Sequence, residues 1–259
     1  MITFSQTLNL EELDNFSPAI SDKGYKIELR IDSNKLDFLC NRENRIIEKL
    51  YPVIDKIISV HAPASSLNIA SKDDFIREYS IKRIIQGIDF ASLLNAKEYV
   101  FHTTYIPLIT RKSYEKWINK ALPVFERIIN ECKKNDIIPV LENTYETDTD
   151  VLKTIFNNFQ ELNFCLDIGH VYCFSNLGFN EWLDEFDNKL RVIHIHDNDK
   201  DEDSHKDLLS GKINFIKLFE RIEDKNIRIN LETSAHSFLE NSSRLEKLIE
   251  HGRQSEKCL

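Results

Sequence analysis

The sequence is poor in residues that punctuate or cross-link a chain. Its 259 residues include six glycines and six prolines, scattered, so no linker, low-complexity tract or short repeat stands out. The five cysteines, Cys40, Cys132, Cys165, Cys173 and Cys258, form no C-x-x-C pair and no regular spacing. That argues against a disulfide framework, and reduced thiols are expected. No apolar run approaches the roughly 18 to 20 residues of a membrane span, so no membrane partner is expected. The opening MITFSQTLNLEELDN lacks the basic and long apolar regions of a secretory signal, and a cytoplasmic location is the expectation. Positive charge is also short: 34 Lys and Arg against 43 Asp and Glu, a net −9. This disfavours a broad nucleic-acid surface, although carboxylates that bind cations count toward the total. Neither G-x-G-x-x-G nor a Walker lysine loop occurs, so the common nucleotide-binding signals are missing.

What the chain does contain is an alternation. Hydrophobic content of 41% and charged content of 30% describe a globular protein. Short apolar strands are expected from Ile2, at Tyr25–Ile31 (YKIELRI, alternating), Lys56–Val60, Glu98–Phe101, Ile137–Leu141, Asn163–Leu166, Val192–Ile195 and Ile227–Leu231. Amphipathic helices are expected between them. One covers Asn9–Phe16. Another covers Asn34–Leu50, with Leu36, Leu39, Ile46, Ile47 and Leu50 as its apolar stripe. The clearest, Asp73–Asn95, repeats Ile81, Ile84, Ile85, Ile88 and Ala91 at helical spacing. Tyr114–Lys133 is kinked or restarted at Pro123. Asp150–Gln160, Glu181–Asn188, Ile213–Glu223 and Ser237–His251 complete the set, with frayed last residues. Eight strand–helix pairs in this length predict a single α/β domain over residues 1–259, a (β/α)8 TIM barrel. A doubly wound open sheet is the alternative.

The most informative stretch is Arg191–His205, RVIHIHDNDKDEDSH. An apolar strand opens into a loop carrying His194, His196, Asp197, Asp199, Asp201, Asp203 and His205. Imidazole and carboxylate form the ligand set of zinc, manganese and similar ions. A cluster this acidic is either well solvated or holding cations. Other strands end in the same chemistry: His61, His102, Glu142, Asp167, His194 and Glu232 each sit at or near the C-terminal end of an apolar strand. In a barrel those ends converge on the face where active sites are built. His170 follows Asp167 in DIGH, and Asp203-Ser204-His205 adds a D-x-H pair.

Together, SVHAPASSLNIAS, YVFH, PVLENT, CLDIGH, VIHIHDND, DSH followed by Gly211, and NLET resemble the xylose isomerase-like barrel superfamily. It includes sugar-phosphate isomerases and epimerases and endonuclease IV-type enzymes. The resemblance implies three metal groups: His61, His102 and Glu142; Glu142, Asp167, His194 and Glu232, with Glu142 bridging; and His170, Asp203 and His205. It implies one to three divalent ions per chain (Zn, Mn, Mg or Co). His196 matches no ligand position, but strand alternation points it the same way as His194.

Two chemistries follow from the resemblance. The leading expectation is a sugar or sugar-phosphate isomerase or epimerase. Glu142 and Glu232 would move a proton through a metal-stabilised enediolate, and the protein would bind a small sugar or sugar phosphate. Lys200, Lys206 and Lys212 are the nearby cations for a phosphate. The related epimerases place an arginine a few residues after the metal histidine, and Asp197-Asn198-Asp199-Lys200 stands there instead. The alternative is a trinuclear-zinc phosphodiesterase acting on abasic DNA. The nine-ligand set favours it. The acidic charge, the small Ala62-Pro63-Ala64-Ser65-Ser66 loop and short loops after the strands count against it. The isomerase branch is often dimeric or tetrameric, but no interface signal marks this sequence.

Overall fold

Eight parallel strands close into a barrel in sequence order, β1-β2-β3-β4-β5-β6-β7-β8, with β1 also pairing β8. The strands are β1 (Thr3–Asn9), β2 (Lys26–Arg30), β3 (Ile57–His61), β4 (Glu98–His102), β5 (Ile138–Glu142), β6 (Asn163–Asp167), β7 (Leu190–Ile195) and β8 (Arg228–Leu231). The computed structural model describes residues 2–41, 48, 50–222 and 225–256. Ile46, Ile47, Glu223 and the last residues lie outside the described residues, as do the side chains of Leu39, Cys40 and Cys258. Cys132, Cys165 and Cys173 are free thiols. No helix among the described residues is long and apolar enough to cross a membrane.

The helices differ from the sequence reading mainly at their ends. Helix Asp74–Leu93 begins where Asp73 accepts from the amides of Phe75 and Ile76, satisfying donors that the first turn leaves free. Helix Tyr114–Lys134 runs through Pro123 without a restart. Pro123 and Asn119 are exposed, so water can take the carbonyl that the proline leaves without a donor. The first helix is Leu13–Asp22, later than expected, because β1 extends to Asn9. A helix at Ile168–Phe174 was not anticipated. The loops on the C-terminal face are not uniformly short: one runs over residues 62–73 and another over 196–215.

Alternation along the strands divides the barrel into an outer and an inner face. Outward residues such as Ile27, Leu29, Phe164, Leu166 and Ile193 join the large core beneath the helices. Inside, Val100, Val140, Cys165 and Val192 form a small separate apolar plug. The opposite half of the interior is charged. Arg228 pairs with Glu28 and Glu98, each at 2.8 Å, and Ser5, Ser59 and Asn230 complete the network. Every member is buried, and buried charges persist where they are paired in this way. One layer further toward the C-terminal ends, two residues along each strand, lie His61, His102, Glu142, Asp167, His194 and Glu232.

Candidate metal centre

All nine residues read from the sequence stand around one mouth of the barrel. Glu142 is the hub. Its Oε2 lies 3.0 Å from Nε2 of His61 and 3.0 Å from Nε2 of His102. Its other oxygen, Oε1, lies 3.3 Å from Nδ1 of His194, and that nitrogen is 3.2 Å from Oε1 of Glu232. On the third side, Asp203 Oδ2 lies 3.1 Å from Nε2 of His170 and 3.2 Å from Nε2 of His205. The donor atoms of His61, His102 and Glu142 lie close enough to hold one ion. The same is true of Glu142, Asp167, His194 and Glu232, and of His170, His196, Asp203 and His205.

The backs of the imidazoles are fixed. Nδ1 of His61 faces the carbonyl of Ala62 at 3.0 Å, Nδ1 of His170 faces that of Asn143 at 2.9 Å, and Nδ1 of His205 faces that of Glu232 at 2.9 Å. Each Nδ1 is placed to donate to a carbonyl, which turns Nε2 toward the centre. His194 is reversed: Nδ1 faces the centre, and Nε2 lies 3.0 Å from Oε1 of Glu28.

The DIGH segment shows how local structure builds the site. Asp167 ends β6 and caps the unanticipated helix, its Oδ1 accepting from the amide of His170 at 2.6 Å. Capping leaves Oδ2 free for the centre and places His170 one turn on. Asn143 holds Asp167 by both backbone groups, accepting from its amide at 2.8 Å and donating to its carbonyl at 3.1 Å. Gly169 lets His196 approach: a Cβ there would stand 2.0 Å from the His196 ring.

The acidic loop after β7 separates into distinct roles. Asp197 is fully buried and accepts from the amides of Asn198, Gly211 and Ile213, so it shapes the loop. Asp199 pairs with Lys206, and Asp201 is exposed. Of the loop's carboxylates only Asp203 reaches the centre, together with His196 and His205. His205, Ser66 and Thr104 all line the cavity with left-handed backbone, φ 45°, 64° and 58°, a conformation that non-glycine residues hold where the surroundings enforce it.

The carboxyls suit cation ligands, whereas neighbouring acidic groups outweigh burial and hold His61, His170 and His194 above the usual imidazole range, so an ion bound there would displace their protons. Burial opposes charge on Glu142, Asp167, Asp203 and Glu232, but the surrounding imidazoles outweigh it and hold all four carboxyls below their usual range. Burial keeps His102 below the usual imidazole range even beside Glu142. For His205 burial is outweighed by Asp203 and Glu232, which raise it to about 9.

The residues fit divalent ions on an independent ground. Oε1 of Glu142, Oδ2 of Asp167, both ring nitrogens of His194 and of His196, and Oδ1 of Asp203 are buried without a hydrogen-bond partner among the described residues. Each such orphan costs about 1–3 kcal/mol, and their gathering at one point is what metal coordination would relieve. Two residues with no assigned role in the sequence reading belong here, Glu28 and Arg30. Their signal was the alternation of KIELR. Once β2 closes a barrel, Glu28 and Arg30 share the inner face.

The cavity over this centre is about 320 Å³ and is lined by His61, His102, Glu142, His170, Asp203, His205 and Glu232, with Arg30, Ser65 and Tyr145 among its walls. Residues 46–255 match the family described as the xylose isomerase-like TIM barrel. An uncharacterized protein, MJ1614, of Methanocaldococcus jannaschii is 30% identical over 161 residues, 61% of this chain and 62% of that protein. A probable endonuclease 4 of Aquifex aeolicus is 27% identical over 169 residues, 58% of each chain. The chain thus matches about three fifths of these relatives' length. Among solved structures, a D-tagatose 3-epimerase-like protein superposes with TM-score 0.82 at 22% identity, covering 98% of this chain and 99% of that one.

Proposed function

The chain belongs to the xylose isomerase-like TIM-barrel family, and from that premise we propose that it is a metal-dependent phosphate-ester hydrolase built on a three-ion centre. The observation that carries this reading is the completeness of the donor set. Glu142, Asp167, His194 and Glu232 would suffice for a one-ion isomerase. His61, His102, His170, Asp203 and His205 nonetheless face the same cavity, three of the four rings with their backs on carbonyls. Imidazole with carboxylate suits zinc or manganese. Divalent ions held there would supply Lewis-acid polarisation of a phosphoryl oxygen and would acidify water.

The chain's own residues do the rest. Glu142 offers one oxygen to the His61–His102 side and the other to the His194 side, so it ties two groups together. The carbonyls behind His61, His170 and His205 hold their rings in place before substrate arrives, which lowers the reorganisation needed at the moment of reaction.

The isomerase or epimerase reading keeps one supporting observation. Glu142 and Glu232 flank the same nitrogen of His194, at 3.3 and 3.2 Å, as a two-carboxylate exchange requires. Within the hydrolase reading, the Aquifex relative favours abasic DNA as substrate. The net charge of −9 and the small side chains at 62–66 favour a smaller ester.

The test is turnover by zinc- or manganese-loaded protein on four substrates: bis(p-nitrophenyl) phosphate, p-nitrophenyl phosphate, an abasic duplex, and a panel of ketoses with their phosphates. Ester cleavage abolished by chelator is the expected result. Ketose interconversion without ester cleavage overturns the reading in favour of the isomerase.

A further inference from the structure

Arg30 ends β2 at the mouth of the barrel, two residues beyond Glu28 on the same face of the strand. It is the one Lys or Arg lining the central cavity among the described residues. Its guanidinium makes no ion pair or hydrogen bond to any of them, and the residue is half-buried. None of the three lysines nominated from the sequence lines the cavity: Lys206 pairs with Asp199, Lys200 lies over the ring of Tyr172, 5.6 Å from its centroid, and Lys212 is not among the lining residues. Arg30 also lines a neighbouring cavity of about 280 Å³ that shares Glu232 and His205 with the first and is walled by Thr7, Asn9 and Ser234. Arg30 therefore lines both spaces, together with the candidate ligands Glu232 and His205.

An arginine without a partner among the described residues, lining the same cavity as Glu142, Asp203 and Glu232, needs a reason. Charge supplies one. Three divalent ions against Glu142, Asp167, Asp203 and Glu232 leave two positive charges, and Arg30 adds a third. A site so loaded repels cations and has little to offer a neutral sugar, but it favours an anion. A single ion against Glu142, Asp167, Asp203 and Glu232 would leave two negative charges, which Arg30 only halves. Arginine also presents a planar fork that matches two oxygens of a phosphate.

We propose that Arg30 is the anion-recognition residue of the site, taking oxygens of a phosphate group on a small phosphorylated substrate and selecting it over neutral analogues. This rests on the three-ion hydrolase reading and deepens it by naming what the substrate must carry.

The experiment is calorimetric titration of inorganic phosphate into zinc-loaded protein, for wild type, Arg30→Gln and Arg30→Lys, with zinc content measured on each sample. Wild type binds phosphate. Arg30→Gln binds about 10- to 100-fold more weakly, the loss expected for a charge-assisted hydrogen bond, with zinc content unchanged. Arg30→Lys keeps the charge without the fork and falls between. Equal phosphate affinity in wild type and Arg30→Gln at equal zinc content overturns the role of Arg30 and leaves the hydrolase reading standing. Failure of zinc-loaded wild type to bind phosphate overturns the hydrolase reading, and this proposal with it.

Discussion

Nε2 of His194 lies 3.0 Å from Oε1 of Glu28, both fully buried, on the side of the ring away from Glu142 and Glu232. Glu28 in turn accepts from Ser59 at 2.9 Å and pairs with Arg228 at 2.8 Å. A carboxylate held this close behind a ligating imidazole raises its basicity. Glu28→Gln is therefore expected to weaken metal binding about 10- to 100-fold, measured by competition with a chelating dye. Unchanged affinity in a folded variant would show that Glu28 serves the Arg228 network alone.

Glu232→Gln removes a ligand charge while keeping the shape of the side chain. The variant is expected to retain the far-ultraviolet circular dichroism of the wild type and to lose turnover on any substrate the wild type accepts. Full turnover in a folded Glu232→Gln protein would exclude a shared role for the second group of ligands.

Gly169→Ala tests the packing beneath the site. The new Cβ would meet three atoms of the His196 ring at 2.0 to 2.6 Å, and His196 is itself stacked on His205 with centroids 3.9 Å apart. Overpacking of this kind costs about 1–3 kcal/mol. The melting temperature is expected to fall by several degrees, at about 2–4 °C per kcal/mol for a chain of this size. No change would mean that the His196–His205 stack moves freely.

Glu146 supplies a pH dependence outside the ligand set. It is buried, accepts from the amide of Thr144 at 2.6 Å and from the hydroxyl of Thr103, and ties the loops after β4 and β5 together. Burial raises its carboxyl above the usual 4.5 against those hydrogen bonds. A carboxyl raised on folding contributes fully below its unfolded pKa, and that contribution is lost as pH rises through the folded value. Glu146→Gln cannot ionise, so its stability relative to wild type is expected to improve from pH 4.5 toward neutrality, read as the difference in melting temperature between the two proteins. A difference independent of pH would show that Glu146 titrates as an ordinary glutamate.

The barrel was legible because its strands are apolar, short and separated by helical periodicity. The strand-end residues were legible because metal-ligand chemistry recurred at the same place on successive strands. Glu28 and Arg30 carried no such mark. In an isolated strand KIELR reads as one apolar and one solvated face, and only closure of the sheet turns the charged face inward. The role of Asp197 was hidden in the same way: its three amide partners come from its own neighbour and from residues 211 and 213, which a linear reading does not bring near. Helix Ile168–Phe174 escapes a linear reading because it is only seven residues long and is capped by the very residue that ends β6.

The central claim is that the strand ends hold divalent ions, and the most direct measurement is metal content per chain. Elemental analysis of protein purified without chelator is expected to give close to three zinc or manganese ions, and His205→Ala close to two. About one ion per chain, unchanged in His205→Ala, would contradict the three-ion centre and return the isomerase reading. No metal, with no uptake on titration, would contradict the account as a whole.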